Sequence, residues 1–198
     1  MSGLQKHLSK NLKGLILTEA LLAVALLAIG SMVLGSILNN AITTSAISRN
    51  YLIGENIATE GLEAVKNIRD SNWMILPNNS DLWLCPAPKL QCSAGATVGT
   101  NYISKSMAGG WSLFAVSSPA LDIENSTAVE QKNYGLWLQN GQYTHTEVPG
   151  TAPSFYRSIL FTNIDADESK ATVNVKVQWW EGRTARTIER FITLYNYQ

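Results

Sequence analysis

Residues 13–38 read KGLILTEALLAVALLAIGSMVLGSIL, and from Leu15 to Leu38 the only charged side chain is Glu19. As a helix, this run would be about 36 Å long, enough to cross a hydrocarbon core of about 30 Å. A carboxylate at that depth is expensive in a bilayer, so Glu19 is a functional candidate wherever the run is buried. Lys6, Lys10 and Lys13 precede the run with no acid among them, and no charge follows it until Arg49. By the positive-inside rule the N-terminus lies in the cytoplasm and the remainder of the chain outside.

Three readings compete for this segment. A secretory signal would have an apolar core of only about 7–15 residues, with a small-residue cleavage site such as TTSA at 43–46 behind it. A permanent single-pass anchor fits the length but leaves Glu19 without a task. The third is a short basic leader, residues 1–14, removed after Gly14 so that Leu15 becomes the N-terminus and Glu19 the fifth mature residue.

The last arrangement resembles the type IV prepilins and pseudopilins. Their leader ends in glycine, commonly after a basic residue, and a glutamate stands fifth in a long apolar helix. Here "KG" followed by "LILTE" carries each element, with Leu15 where the family usually has Phe. The resemblance implies cleavage between Gly14 and Leu15 by a prepilin peptidase, which also methylates the new amine of Leu15. It implies a cytoplasmic-membrane subunit, extracted by an assembly platform and packed with other pilin subunits into a surface filament. Glu19 would then neutralise the N-terminal amine of a neighbouring subunit, since an unpaired charge in the filament core costs several kcal/mol. The competing account is a favourable helix-dipole contact in the first turn, worth about 0.3–1 kcal/mol. A pseudopilin of a secretion or DNA-uptake system is the alternative within the family. A permanently anchored ligand-binding ectodomain is the alternative outside it.

Beyond Leu38 the pattern turns amphipathic. Ile47, Tyr51, Ala58, Leu62, Val65 and Ile68 share one helical face, with Glu55, Glu60, Glu63, Lys66 and Asp70 opposite. Lys66 can pair with Glu63 or Asp70 at helical spacing. With no proline before Pro77, one helix from about Leu15 to about Ser71 is expected, with Gly30, Gly35, Gly54 and Gly61 as its weak points. The expected parts are a leader (1–14), an apolar helix (15–38), an amphipathic half (39–72) and a head (73–198). ATEGLEAVKNIRDSNW, at 58–73, resembles the stretch where pilin helices meet their heads.

The head reads as strands separated by Gly, Pro and Asn. They are WSLFAVSS at 111–118, a hairpin at 134–146 turning on Asn140-Gly141, FYRSILFTNI at 155–164, and a final hairpin turning at Glu181-Gly182-Arg183. In the final hairpin Val173, Val175, Val177 and Trp179 alternate with Thr172, Asn174, Lys176 and Gln178, which predicts one buried face and one wet face. Trp180 points outward, toward its own head or a neighbour. Residues 76–110 look most loop-like. The expected fold class is α+β, a long N-terminal helix packed on an antiparallel sheet.

The chemistry is sparse. No phosphate loop, nucleophile elbow or metal-binding helix occurs, so neither enzymatic activity nor a cofactor is expected. Removing residues 1–14 with their three lysines leaves 12 basic and 15 acidic side chains, a poor footprint for a nucleic-acid partner. Cys85 and Cys92 lack companion ligands for a metal site, the only histidines being His7 and His145. With the head exported, a Cys85–Cys92 disulfide is expected, worth about 2.5 kcal/mol for its short loop. His145 reads as a wet strand position. Asp165, Asp167 and Glu168 form an acidic turn that could bind calcium, but it lacks the further ligands of a calcium loop, which favours a solvated turn.

Overall fold

A computed structural model of the chain describes residues 3–75, 82–86, 95–107, 110–165, 167 and 169–196, with side chains from Leu17 onward. The chain divides into two units, Met1–Arg49 and Asn50–Gln198. Helix α1 (Gly3–Ile75) makes up the described part of the first unit and opens the second. It starts earlier and ends later than expected, because nothing between Gly3 and Ile75 breaks a helix: glycines are its weakest formers and no proline interrupts it.

In the first unit every described position of α1 is exposed, including Leu21, Leu22, Leu26, Leu27, Met32 and Leu34. The apolar residues surround the helix rather than forming a stripe, so this segment has no internal face to bury. Gly30 and Gly35 have no neighbouring group among the described residues within 4 Å of where a Cβ would stand.

The second unit is α+β. After α1 come β1 (Asn101–Met107), β2 (Gly110–Val116), α2 (Ala128–Tyr134), β3 (Gly135–Gln139), β4 (Gln142–Thr144), β5 (Phe155–Ile164), β6 (Lys170–Glu181) and β7 (Thr184–Tyr195). The described strands form one antiparallel sheet around β5. Along one side β5 pairs with β6; along the other it pairs with β3 at Phe155 and Tyr156 and with β1 at Ile159 and Leu160. β6 in turn pairs over its whole length with β7. Both expected hairpin turns are present: Asn140 and Gly141 take φ 50 and 81, as a two-residue turn with two positive φ values requires, and Gly182 takes φ 63.

The inner face of β6 carries Ala171, Val173, Val175, Val177 and Trp179, all buried against α1 or its neighbouring strands. Each fully buried valine contributes about 1.5–3 kcal/mol relative to exposure. The face of α1 that meets this core runs through Gly54, Ile57, Ala58, Gly61, Ala64, Val65, Ile68 and Asn72. Ile47 and Tyr51, expected on the buried face, are 39% and 50% exposed, and Leu62 is half-buried. The stripe is centred instead on small residues, because the sheet approaches closely there. A Cβ on Gly54 would stand 2.9 Å from Trp179 Cζ3, and one on Gly61 2.9 Å from Val175 Cγ1. These two glycines are therefore packing positions rather than weak points.

Three further expectations are corrected. Residues 101–107, read as loop, form β1, paired with β2 from Asn101↔Val116 to Met107↔Gly110. Gln178, read as wet, is buried, because the segment carrying Leu121 and Ile123 covers that end of the sheet's outer face. Its Oε1 accepts from Ile123 N at 3.1 Å and its Nε2 donates to Thr187 Oγ1 at 3.0 Å. Residues 82–86 are irregular but not peripheral: Trp83, Leu84 and Cys85 are buried, and Asn72 Nδ2 donates to Trp83 O and Cys85 O, both at 3.1 Å.

Candidate functional site

The residues singled out in the sequence do not converge on one site. Gly14 and Leu15 lie within α1, but their side chains are outside the described residues. Glu19 is exposed among exposed leucines on a segment long and apolar enough to cross a membrane, by length and composition. Cys85 is disulfide-bonded; Cys92, the chain's only other cysteine, lies outside the described residues. In the acidic turn Asp165 pairs with Lys170 at 3.1 Å and Asp167 accepts from Ser169 N at 3.1 Å, while Glu168 is outside the described residues. No cluster of three or more metal-ligating side chains occurs among the described residues.

A different group of residues does converge, around Arg157 on β5. This side chain is only 1% exposed. Its Nη1 donates to Ile57 O and to Glu60 Oε1, each at 3.1 Å, and its Nη2 donates to Ser104 Oγ at 2.9 Å. Burial pulls the Arg157 pKa down, and the adjacent Glu60 carboxylate opposes that shift. A buried cation requires such a partner, since leaving it unpaired costs several kcal/mol. Arg157 Nε, however, is buried with no hydrogen-bond partner among the described residues.

His145, read as wet, is the second member. It follows β4 in a bend, and its Nδ1 lies 2.9 Å from Gly135 O. A carbonyl oxygen only accepts, so Nδ1 carries the proton and donates. Burial first, then the positive charge of Arg157, pushes its pKa down to about 3, so the ring is neutral across physiological pH. In that tautomer Nε2 is a bare acceptor, and it too is buried without a partner among the described residues. The wet-strand reading fails because β4 ends at Thr144 and the half-buried His145 ring turns back to Gly135 O at the start of β3.

Arg157 and His145 both line a cleft of about 700 Å³ bounded by α1, β1, the start of β2 and the β3–β4 hairpin. Its size falls within the range of small-molecule sites. Ile53, Met107, Trp111 and Tyr143 supply apolar wall, while Asn56, Glu60 and Gln142 supply polar groups. Sequence reading missed this cleft. Its one local signal was an arginine in the mainly apolar start of β5, FYRSILF, where burial demands a partner from elsewhere in the fold.

The chain matches no family model, no curated protein and no solved structure with which it was compared.

Proposed function

We propose that the chain is a structural subunit of a type IV pilus-like surface filament, made as a precursor in the cytoplasmic membrane and assembled after its leader is removed. The observation that carries this reading is the apolar run of α1, exposed on all sides, with Glu19 as its single charge five residues beyond Gly14. An apolar surface of that extent calls for lipid or for copies of itself. A simple anchor would accept lipid alone and needs no carboxylate. Helices packed in a filament core would use Glu19 to neutralise the amine of Leu15 on a neighbour, with the heads displayed outside. The reading includes a prepilin peptidase that cuts and methylates, an assembly platform, and like subunits as partners; it includes no catalysis.

A second reading, a permanently anchored ectodomain that binds a ligand, is favoured by the cleft around Arg157. Mass spectrometry of the protein co-expressed with a prepilin peptidase separates the two. A filament subunit loses residues 1–14 and begins at a methylated Leu15, and it is recovered in the sheared surface fraction. An intact N-terminus held in the membrane would instead establish the anchor.

A further inference from the structure

Two strands share one side of β5 and leave it at different points. β1 pairs with it only at Asn101↔Leu160 and Tyr102↔Ile159, and β3 takes over at Gly135↔Tyr156 and Leu136↔Phe155. From Ile103 to Met107, β1 therefore keeps β2 on one side and pairs with no described strand on the other. The cleft opens along that free edge. Ser104, Lys105, Ser106 and Met107 all line it, facing the β3–β4 hairpin. A groove over the face of a sheet is lined by alternate residues, because successive side chains point to opposite faces; four consecutive residues place this one along the edge of the strand. Lys105, Ser106 and Met107 are exposed, so the edge is open. The charge at the cleft is positive: Lys105 and Arg157 stand against the single carboxylate of Glu60, and Lys105 forms no ion pair among the described residues.

We propose that this cleft binds an extended acidic segment of another polypeptide, which adds to the free edge of β1 as a further strand. Main-chain hydrogen bonds to β1 supply the affinity, and the alternating side chains of the segment meet the apolar wall of the cleft, with Lys105 drawing its carboxylates. The lined edge is about 13 Å long, which takes a stretch of about four residues. A strand edge offers N–H and C=O groups at a regular spacing that only another extended backbone repeats. The site belongs to the second unit and holds whether or not the chain assembles into filaments.

The test selects a phage-displayed library of random heptapeptides on the full chain in lipid nanodiscs, then measures the enriched peptides as synthetic ligands. Enrichment of peptides rich in Asp and Glu and poor in Pro is expected, with saturable binding. Methylating alternate backbone nitrogens of the best peptide, which removes main-chain donors and leaves its side chains, should abolish binding in one of the two possible registers. Hydrogen exchange should slow on binding at amides between Ser104 and Met107. Lys105→Glu, at an exposed position, should weaken the acidic peptides about tenfold, while Arg183→Glu, exposed on the β6–β7 turn outside the cleft, should leave them unchanged. Enrichment of no peptide, binding that survives both methylation patterns, or affinity undiminished in Lys105→Glu would each overturn the proposal. So would protection that appears on β7 instead of β1. Protection of the β1 amides before any peptide is added, in a self-associated protein, would put a second copy in the groove and overturn it as well.

Discussion

Gly61 of α1 and Val175 of β6 meet so closely that a Cβ on the glycine would stand 2.9 Å from Val175 Cγ1, with Arg157 Cδ at 3.2 Å. In an open helix, glycine to alanine gains about 1 kcal/mol of propensity. Here the added methyl must displace a fully buried branched side chain and the stem of a buried arginine, and overpacking of that kind costs about 1–3 kcal/mol. Gly61→Ala should therefore lower the stability of the head, whereas Thr59→Ala, exposed on the same helix, should be neutral or slightly stabilising. Thermal melts of the two variants measure the difference, and a higher melting temperature for Gly61→Ala would contradict the close contact.

The Arg157–Glu60 pair gives a second contrast on the same helix. Glu60→Gln leaves a cation that is 1% exposed without its counter-charge, at a cost of roughly 1–3 kcal/mol, moderated because Glu60 itself reaches solvent. Glu63→Gln removes a surface pair with Lys66 in which both side chains reach solvent, and should change stability by less than about 0.5 kcal/mol. Equal effects from the two substitutions, in denaturant titrations under matched conditions, would show that the Arg157 site is not electrostatically demanding.

How much of this was legible beforehand depended on whether the signal was local. Asn140-Gly141 and Gly182 marked their turns because two-residue hairpins demand positive φ, and the valine alternation of β6 marked its buried face. Helix α2 was missed although Thr127 and Glu130 form a capping box, Thr127 N donating to Glu130 Oε2 at 2.7 Å; at seven residues it was too short for periodicity to reveal. Gln178, His145, Gly54 and Gly61 were misread for one reason. Whether a polar side chain is wet, or a glycine is a flaw, is decided by what packs over it, and that chain segment lies tens of residues away.

His145 makes the head acid-sensitive. Its folded pKa is about 3, below the ordinary value near 6.5, so the unfolded chain binds the extra proton between those limits and the folded chain does not. Stability from this group is complete above about pH 6.5 and is lost as pH falls toward 3, at up to about 1.4 kcal/mol per pH unit. The charged groups it faces, Arg157 and Lys105, act in the same direction. Comparing melts at pH 7 and pH 5, wild type should lose more than His145→Gln does. An equal loss in both would assign the acid sensitivity elsewhere.

Asn72 ties the segment around Cys85 to α1 through two buried hydrogen bonds, to Trp83 O and Cys85 O. Asn72→Ala leaves both carbonyls without this donor at a buried site, a loss of roughly 2 kcal/mol or more. Hydrogen exchange should accelerate first at Cys85 N and Ala96 N, which bond to Leu82 O and Leu84 O within the same segment. Unchanged exchange at those amides would mean that burial of Trp83 and Leu84, with the bond from Leu113 N to Pro86 O, holds the segment without Asn72.

The filament reading makes its sharpest demand on Glu19. In the membrane the carboxylate is a burden, so Glu19→Ala should leave insertion and leader cleavage intact. In a filament core the same substitution would leave the amine of a neighbouring Leu15 buried without a counter-charge, which costs several kcal/mol for each subunit joined. The variant should therefore accumulate as a processed membrane protein and be depleted from the sheared surface fraction. Glu19→Asp, which keeps the charge on a shorter stem, should restore part of the assembly. If Glu19→Ala enters filaments as well as wild type does, the pairing role is wrong, and the residue is better explained by the 0.3–1 kcal/mol or so that an acid gains near a helix N-terminus.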